Sequence, residues 1–346
     1  MKKWLLLAFL LFFLAVPVSA QDYTTPPEPD SVAGLLPEDR DSFGEGLRYV
    51  LRSALATLQP RLNACLGISA AVMGSALLIS VIATQQTKAK ETVLLVGTVG
   101  IACLLLSPAD TLVVTAADTV DQISAYGRLL LPVLTAALAA QGGSTTSAAL
   151  YTATVAFDAL LTSLISNLLI PMVYIYLVLA VVQAAVADDT MKRIQAMVKS
   201  AMIWTLKTLL YAFTGYIGIT GIVSGTTDQS LLKAAKLTIS GAVPVVGSIL
   251  SDASEAVLVS AGLVKNSVGI GGMLVVIAIT IVPFLQIGLQ YLVMKLTAAI
   301  CGLFCEKTIT DLIGDFSGAM GFLLGITGAV CLIFLISLVC FMKGVG

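Results

Sequence analysis

The chain contains no histidine, and only 11% of its 346 residues are charged. The first absence removes histidine-ligated zinc, His-dependent triads, histidine general bases and the His-Glu-x-x-His protease motif together. The second, with 58% hydrophobic residues and a mean hydropathy of +1.00, excludes an ordinary soluble domain, where about a quarter of residues are charged. A disordered chain is excluded too, since it needs low hydrophobicity and high net charge. Nineteen basic and 20 acidic side chains leave a net charge of −1. There is no broad basic field for nucleic acid. The length would hold two soluble domains, but lipid is the expected solvent for most of it. Of six cysteines, Cys65, Cys103, Cys301, Cys305, Cys331 and Cys340, five lie in or beside strongly apolar stretches and read as small core hydrophobes. Cys301 and Cys305 sit one helical turn apart. Two thiols alone make a poor metal site, and one helix is poor geometry for a bridge between them. No metal and no cofactor is implied.

The amino terminus reads as an address. Lys2 and Lys3 precede a 13-residue apolar run, 4–16, too short to span a bilayer comfortably. Pro17-Val18-Ser19-Ala20 then offers small residues at the cleavage positions, so residues 1–20 read as a cleaved secretory signal peptide. The other reading is an uncleaved first anchor. Residues 21–60 form an extracytoplasmic stretch, Pro-rich and disordered at first. From Asp41 onward Phe43, Leu47, Val50, Leu51, Ala54 and Leu58 recur at helical spacing against Glu45, Arg48 and Arg52. That pattern predicts an amphipathic helix at the membrane surface. Residues 61–346 are the polytopic membrane domain.

The expected fold is all-α: about six transmembrane helices with short broken or amphipathic helices between them. The apolar runs are 62–83, 92–106, 163–187, 201–223, 268–294 and 320–342. About 20 apolar residues cross the hydrocarbon core, and backbone groups in lipid must be satisfied internally, so these runs are helices. Nothing alternates as outer-membrane barrel strands do. With residue 21 outside, the loops placed inside carry Lys88 and Lys90, then Lys192, Arg193 and Lys199, then Lys295 and Lys307. The loops placed outside carry nearly as many cations, so charge bias alone does not fix the orientation.

Three stretches, 110–140, 226–267 and 295–319, are too apolar for loops and too short or polar for spans. Interrupted helices that line a cavity and amphipathic helices on the surface both fit them. Asp118, Asp121 and Arg128 in the first share a helical face. Beyond it, Thr154, Asp158, Thr162 and Ser166 recur every four residues as one polar stripe. An acid in an apolar region usually faces an interior or an aqueous route, which makes this stripe a candidate pore or ion-path face. The alternative places it at the interface, where Asp158 reaches water. Gly314, Gly318, Gly321, Gly325 and Gly328 advance by fours and threes along the last helix, a small-residue face for helix packing.

The stretch 231–247, Leu-Leu-Lys-Ala-Ala-Lys-Leu-Thr-Ile-Ser-Gly-Ala-Val-Pro-Val-Val-Gly, is followed by Ser-Ile-Leu-Ser-Asp-Ala-Ser-Glu-Ala-Val at 248–257. Gly262-Leu263-Val264-Lys265-Asn266-Ser267-Val268-Gly269 comes next. Gly241 and Pro244 break a helix here. Ser248, Asp252, Glu255, Gly262 and Asn266 form a polar stripe on the helix after the break. It reads either as a solvated face or as a docking or channel-lining face. With the signal, the length and the series of apolar segments, this stretch resembles the stage III sporulation protein AE family of endospore-forming bacteria. The resemblance implies a polytopic, permease-like or export-gate-like subunit in the mother-cell-derived membrane around the forespore. It implies partners as well: other stage III sporulation membrane proteins, including ring-forming subunits and an ATPase, and a forespore-side protein. No catalytic residue carries over.

The expected function is therefore a non-enzymatic membrane subunit of the sporulation channel or secretion-like complex that links mother cell and forespore. The alternative is a stand-alone secondary transporter or permease that uses Asp158. An intramembrane protease is disfavoured, because Leu312-Ile313-Gly314-Asp315 lacks the first glycine of the aspartyl motif and a serine type wants a histidine.

Overall fold

The computed structural model describes residues 26–37, 42–85, 89–140, 144–186, 189–219 and 267–343, and every regular element among them is helical. After a 3-10 turn at Asp30–Val32, α1 spans Phe43–Gln85, α2 Lys90–Ala140, α3 Ser144–Leu164, α4 Ile170–Val186, α5 Asp189–Ile219, α6 Ser267–Phe304 and α7 Lys307–Lys343. Five stretches are long and apolar enough to cross a membrane: Phe43–Gln85, Lys90–Ala136, Thr154–Val186, Val268–Phe304 and Lys307–Val339. They contain the expected runs 62–83, 92–106, 268–294 and 320–342 almost entirely, and 163–187 up to its last residue. The sixth run, 201–223, starts in α5 and continues past Ile219, outside the described residues. The signal peptide, the break at Gly241 and Pro244, and the stripe Ser248, Asp252, Glu255, Gly262 and Asn266 also lie outside them.

Two of the intermediate stretches are not separate short helices. Residues 110–140 continue α2 straight through Pro108 and Pro132. Proline withholds one N–H from the ladder and normally breaks a helix. Packing of the buried neighbours Leu105, Ala109, Leu131 and Leu134 holds the chain on both sides of each proline, so the helix persists. Residues 295–319 are the last turns of α6, a break at Cys305-Glu306 and the first turns of α7. The stripe-bearing α3 is likewise continuous with α4, through a π segment at Ile165–Leu169. Pro171, just beyond it, has no N–H to give back to the ladder, and the wider turn absorbs the misfit.

The α6–α7 hairpin is the core of the bundle. Its helices run antiparallel, with Gly321 under the ring of Tyr291 and Gly328 under Phe284. α1 runs parallel to α6. Leu274 lies over Gly46, Ser69 bonds Thr297, and the Glu306 backbone N–H donates to Ser80 Oγ at 3.3 Å. α2 returns antiparallel to α1 and meets both core helices, with Leu130 over Gly272 and Phe334 against Gly127. α4 packs on α2 and α7, and α5 on α4. The 26–37 segment joins in, with Val32 fully buried and Ser31 Oγ donating to Gln122 Oε1 at 2.5 Å. The start of α1 buries Phe43, Leu47, Val50 and Ala54, so α6 rather than a membrane surface covers part of its apolar face.

Pairing across the bundle fixes which ends lie together. Lys90, opening α2, pairs with Glu306 in the α6–α7 break at 2.6 Å. Lys192, opening α5, faces Asp311 at the start of α7 at 3.9 Å. The α1–α2, α4–α5 and α6–α7 connections therefore share one end. The starts of α1, α3 and α6 share the other.

The outer surface changes character between those ends. Near the connections α1 exposes Leu66, Leu77, Leu78, Val81 and Ile82, and α2 exposes Leu95, Val96, Val99, Leu104 and Leu106. Toward the far end the exposed residues of the same helices include Arg48, Arg52 and Arg61, and Asp110, Asp118, Asp121 and Arg128. α6 before Leu292 exposes no large apolar side chain, and none is exposed on the described part of α7. The most apolar part of the chain is thus wrapped by helices whose outer faces carry charge.

Candidate functional site

Two polar constellations interrupt the apolar packing. The first is a seam between α2 and the continuous α3–α4 rod, which run antiparallel. Ser124 Oγ donates to Asp158 Oδ2 at 3.4 Å, Ser166 Oγ to Asp121 Oδ1 at 3.3 Å, and Tyr174 Oη to Asp110 Oδ1 at 2.8 Å. Arg128 contributes a favourable field at Asp158. Asp158, Ser166 and Tyr174 are spaced by eight residues, which on a pure α-helix drifts by about 80° per step. The π segment between Ser166 and Tyr174 takes back much of that rotation and keeps the three on α2. Thr154 and Thr162 of the stripe are also buried, and the Thr162 hydroxyl has no hydrogen-bond partner. The structure brings all four stripe residues to one side of the rod as a helix–helix contact.

The glycines of α7 divide between two neighbours. Gly321 and Gly328 receive Tyr291 and Phe284 of α6, whereas Gly325 faces Leu206 of α5. A Cβ on Gly318 would sit 3.4 Å from Tyr176 Oη and 4.0 Å from Lys199 Nζ, and one on Gly314 would meet nothing within 4 Å. Four of the five have side chains of neighbouring helices within 4 Å of where a Cβ would stand.

Gly314 borders the second constellation, a cavity of about 460 Å³ between α4, α5 and α7, near the end that carries the connections. Tyr176 and Gln183 line it from α4, Lys192, Gln195 and Lys199 from α5, and Thr310, Asp311 and Asp315 from α7. Tyr176 Oη donates to Asp315 Oδ1 at 2.9 Å. Gln195 is 5% exposed, and its Nε2 has no partner. The sequence reading missed this cavity. Its signal was present: Lys192, Gln195 and Lys199 advance by three and four, as do Asp311, Gly314 and Gly318, with Asp315 one turn from Asp311, two polar faces that only the fold brings together. No group of three metal-binding side chains exists among the described residues.

The comparisons with known proteins bear on the whole bundle. The family model described as stage III sporulation protein AE matches residues 43–344, from the first residue of α1 to just past the end of α7. The chain belongs to the stage III sporulation protein AE family. A curated relative, stage III sporulation protein AE of Bacillus subtilis (strain 168), is 26% identical over 185 residues. That match covers 54% of this chain and 46% of the relative, so the aligned part spans about half the relative's length. No solved structure matches. Membership carries a role in sporulation, and the five long apolar helices make the family member a membrane protein.

Proposed function

We propose that the chain is a non-enzymatic, structural or export-gate-like membrane subunit of the complex that links mother cell and forespore. On this reading it sits in the mother-cell-derived membrane beside other stage III proteins, including ring-forming subunits and an ATPase, with a forespore-side partner across from it. The observation that carries the reading is the division of the bundle surface, set against the family match. α2 has 51 residues, so at 1.5 Å per residue it runs about 76 Å, against a hydrocarbon core of about 30 Å. The half near the connections has the more continuously apolar exterior, whereas the far half mixes exposed Tyr49, Leu55, Val114 and Leu129 with Arg48, Arg52, Asp118 and Arg128. On this reading the charged outer ends of α1 and α2 reach beyond the hydrocarbon and offer a rigid platform for partner proteins around the enclosed runs 268–294 and 320–342. The seam of Asp158 falls in that platform. This favours a packing role for the acid over an intramembrane relay.

A sixth crossing, by α5, fits the same geometry, since α4 ends at the connection end and α6 starts at the far end. α5 rises from Lys192 beside Asp311 to Phe213, whose ring lies 5.4 Å from that of Phe157 on α3. The connection end carries Lys90, Lys192, Arg193 and Lys307 against Arg48, Arg52, Arg61 and Arg128 toward the far end, so a cytoplasmic connection end rests on the amino-terminal signal rather than on charge. Deleting the gene in its native host is expected to abolish heat-resistant spores, and tagged chain solubilised from sporulating cells should carry other stage III proteins with it. Normal spore yield, or a chain recovered alone, would overturn the reading.

A further inference from the structure

The cavity between α4, α5 and α7 has more donors than its own side chains satisfy. Asp311 faces Lys192, and Asp315 accepts from Tyr176. Lys199 makes no ion pair within 4.0 Å among the described residues, although its Nζ reaches the Gly318 wall beside Tyr176 Oη. Gln195, almost wholly buried, lines the same cavity, and its Nε2 has no hydrogen-bond partner. A buried amide donor without an acceptor costs about 1–3 kcal/mol, which a ligand oxygen recovers. Facing these donors across the cavity are the two α7 carboxylates, whose remaining lone pairs accept from a cation. Gly314 and Gly318 leave room that any side chain would take, and the volume lies within the range of small-ligand pockets.

We infer that this cavity binds a small zwitterionic group, an anionic oxygen cluster held by Lys199 and Gln195 with a protonated amine held by Asp311 and Asp315. Two sources share that chemistry. One is a free amino acid, and the other is the head group of an ethanolamine phospholipid. Both reach a cavity that begins at the bundle end and extends inward by about 12–15 Å, the rise of eight to ten helical residues. The site does not depend on the sporulation reading, since it is judged on binding alone.

The test uses the full chain purified in detergent and in nanodiscs. Glycine, L-alanine, acetate and ethylamine are titrated against its thermal unfolding. The nanodiscs are built with phosphatidylethanolamine, phosphatidylcholine or phosphatidylglycerol. If the solute is free, glycine or L-alanine raises the unfolding midpoint by several degrees, while acetate and ethylamine do not. If the source is lipid, phosphatidylethanolamine alone does so. Either effect should weaken by about tenfold or more in apparent affinity in Lys199→Met and in Asp315→Asn. Lys295→Met, outside the cavity, leaves it unchanged and shows that the fold tolerates losing a nearby lysine. No response to either source, or a response that survives both cavity substitutions, would overturn the inference.

Discussion

α1 and α6 run side by side in the same direction and are about equally apolar in their most apolar stretches, yet 22% of that stretch is buried in α1 and 83% in α6. Apolarity therefore does not say whether a helix faces lipid or protein. Position in the bundle decides it: α6 is surrounded by α1, α2 and α7, while α1 touches neighbours on one side only. Enclosure leaves a mark that hydropathy lacks. Gly272 makes room for Leu130 on α6, and Gly321 and Gly328 make room for aromatic rings on α7. On α1, Gly46 makes such room for Leu274 where it meets α6, but Gly67 and Gly74 meet nothing within 4 Å.

The sharpest way to break this comparison is to shorten one leucine in each environment. Leu323 on α7 is fully buried, and Leu323→Ala is expected to cost about 2–5 kcal/mol. Leu78 on α1 is 66% exposed, and Leu78→Ala should change stability by less than about 1 kcal/mol, because lipid refills the space. Unfolding in mixed micelles measures both, and equal costs would erase the distinction. Glycines give a second, smaller contrast. A Cβ on Gly321 would lie 2.9 Å from the Tyr291 ring, so Gly321→Ala should cost about 1–3 kcal/mol. Gly314→Ala meets open space and should be neutral or gain up to about 1 kcal/mol in helix propensity.

The seam gives the next step down. Asp158→Asn keeps an acceptor for Ser124, so it should cost no more than about 1 kcal/mol and leave spore yield at the wild-type level. Loss of spores from a stably folded Asp158→Asn chain would restore the ion-path reading. Smallest of all is Tyr174→Phe. It removes one exposed bond to Asp110 and should shift stability by at most about 0.5–1 kcal/mol in the same assay.

What the sequence made legible follows the same line between one helix and two. Residues 62–83, 268–294 and 320–342 announce themselves, because a long apolar run shows as a helix in its own composition, whether lipid or neighbouring helices cover it. The polar stripe of Asp158 and the glycines of α7 were legible too, since each is periodic along one element. The continuity of α2 was not, because Pro108 reads as a stop in water and the packing that overrides it is tertiary. The cavity was not legible either. Lys199, Gln195 and Tyr176 stand far from Asp315 in the chain, and no periodicity within a helix records which faces meet.

Depth in the bilayer decides whether the two halves of the bundle differ as described. In a cysteine-free background, single cysteines at Arg48, Asp118 and Arg128 should react with a water-soluble maleimide added on the amino-terminal side of intact vesicles. Cysteines at Leu78 and Val96 should stay unlabelled there until the membrane is dissolved. Shielding of the first three to the same degree as the last two would place both halves in lipid and contradict the account.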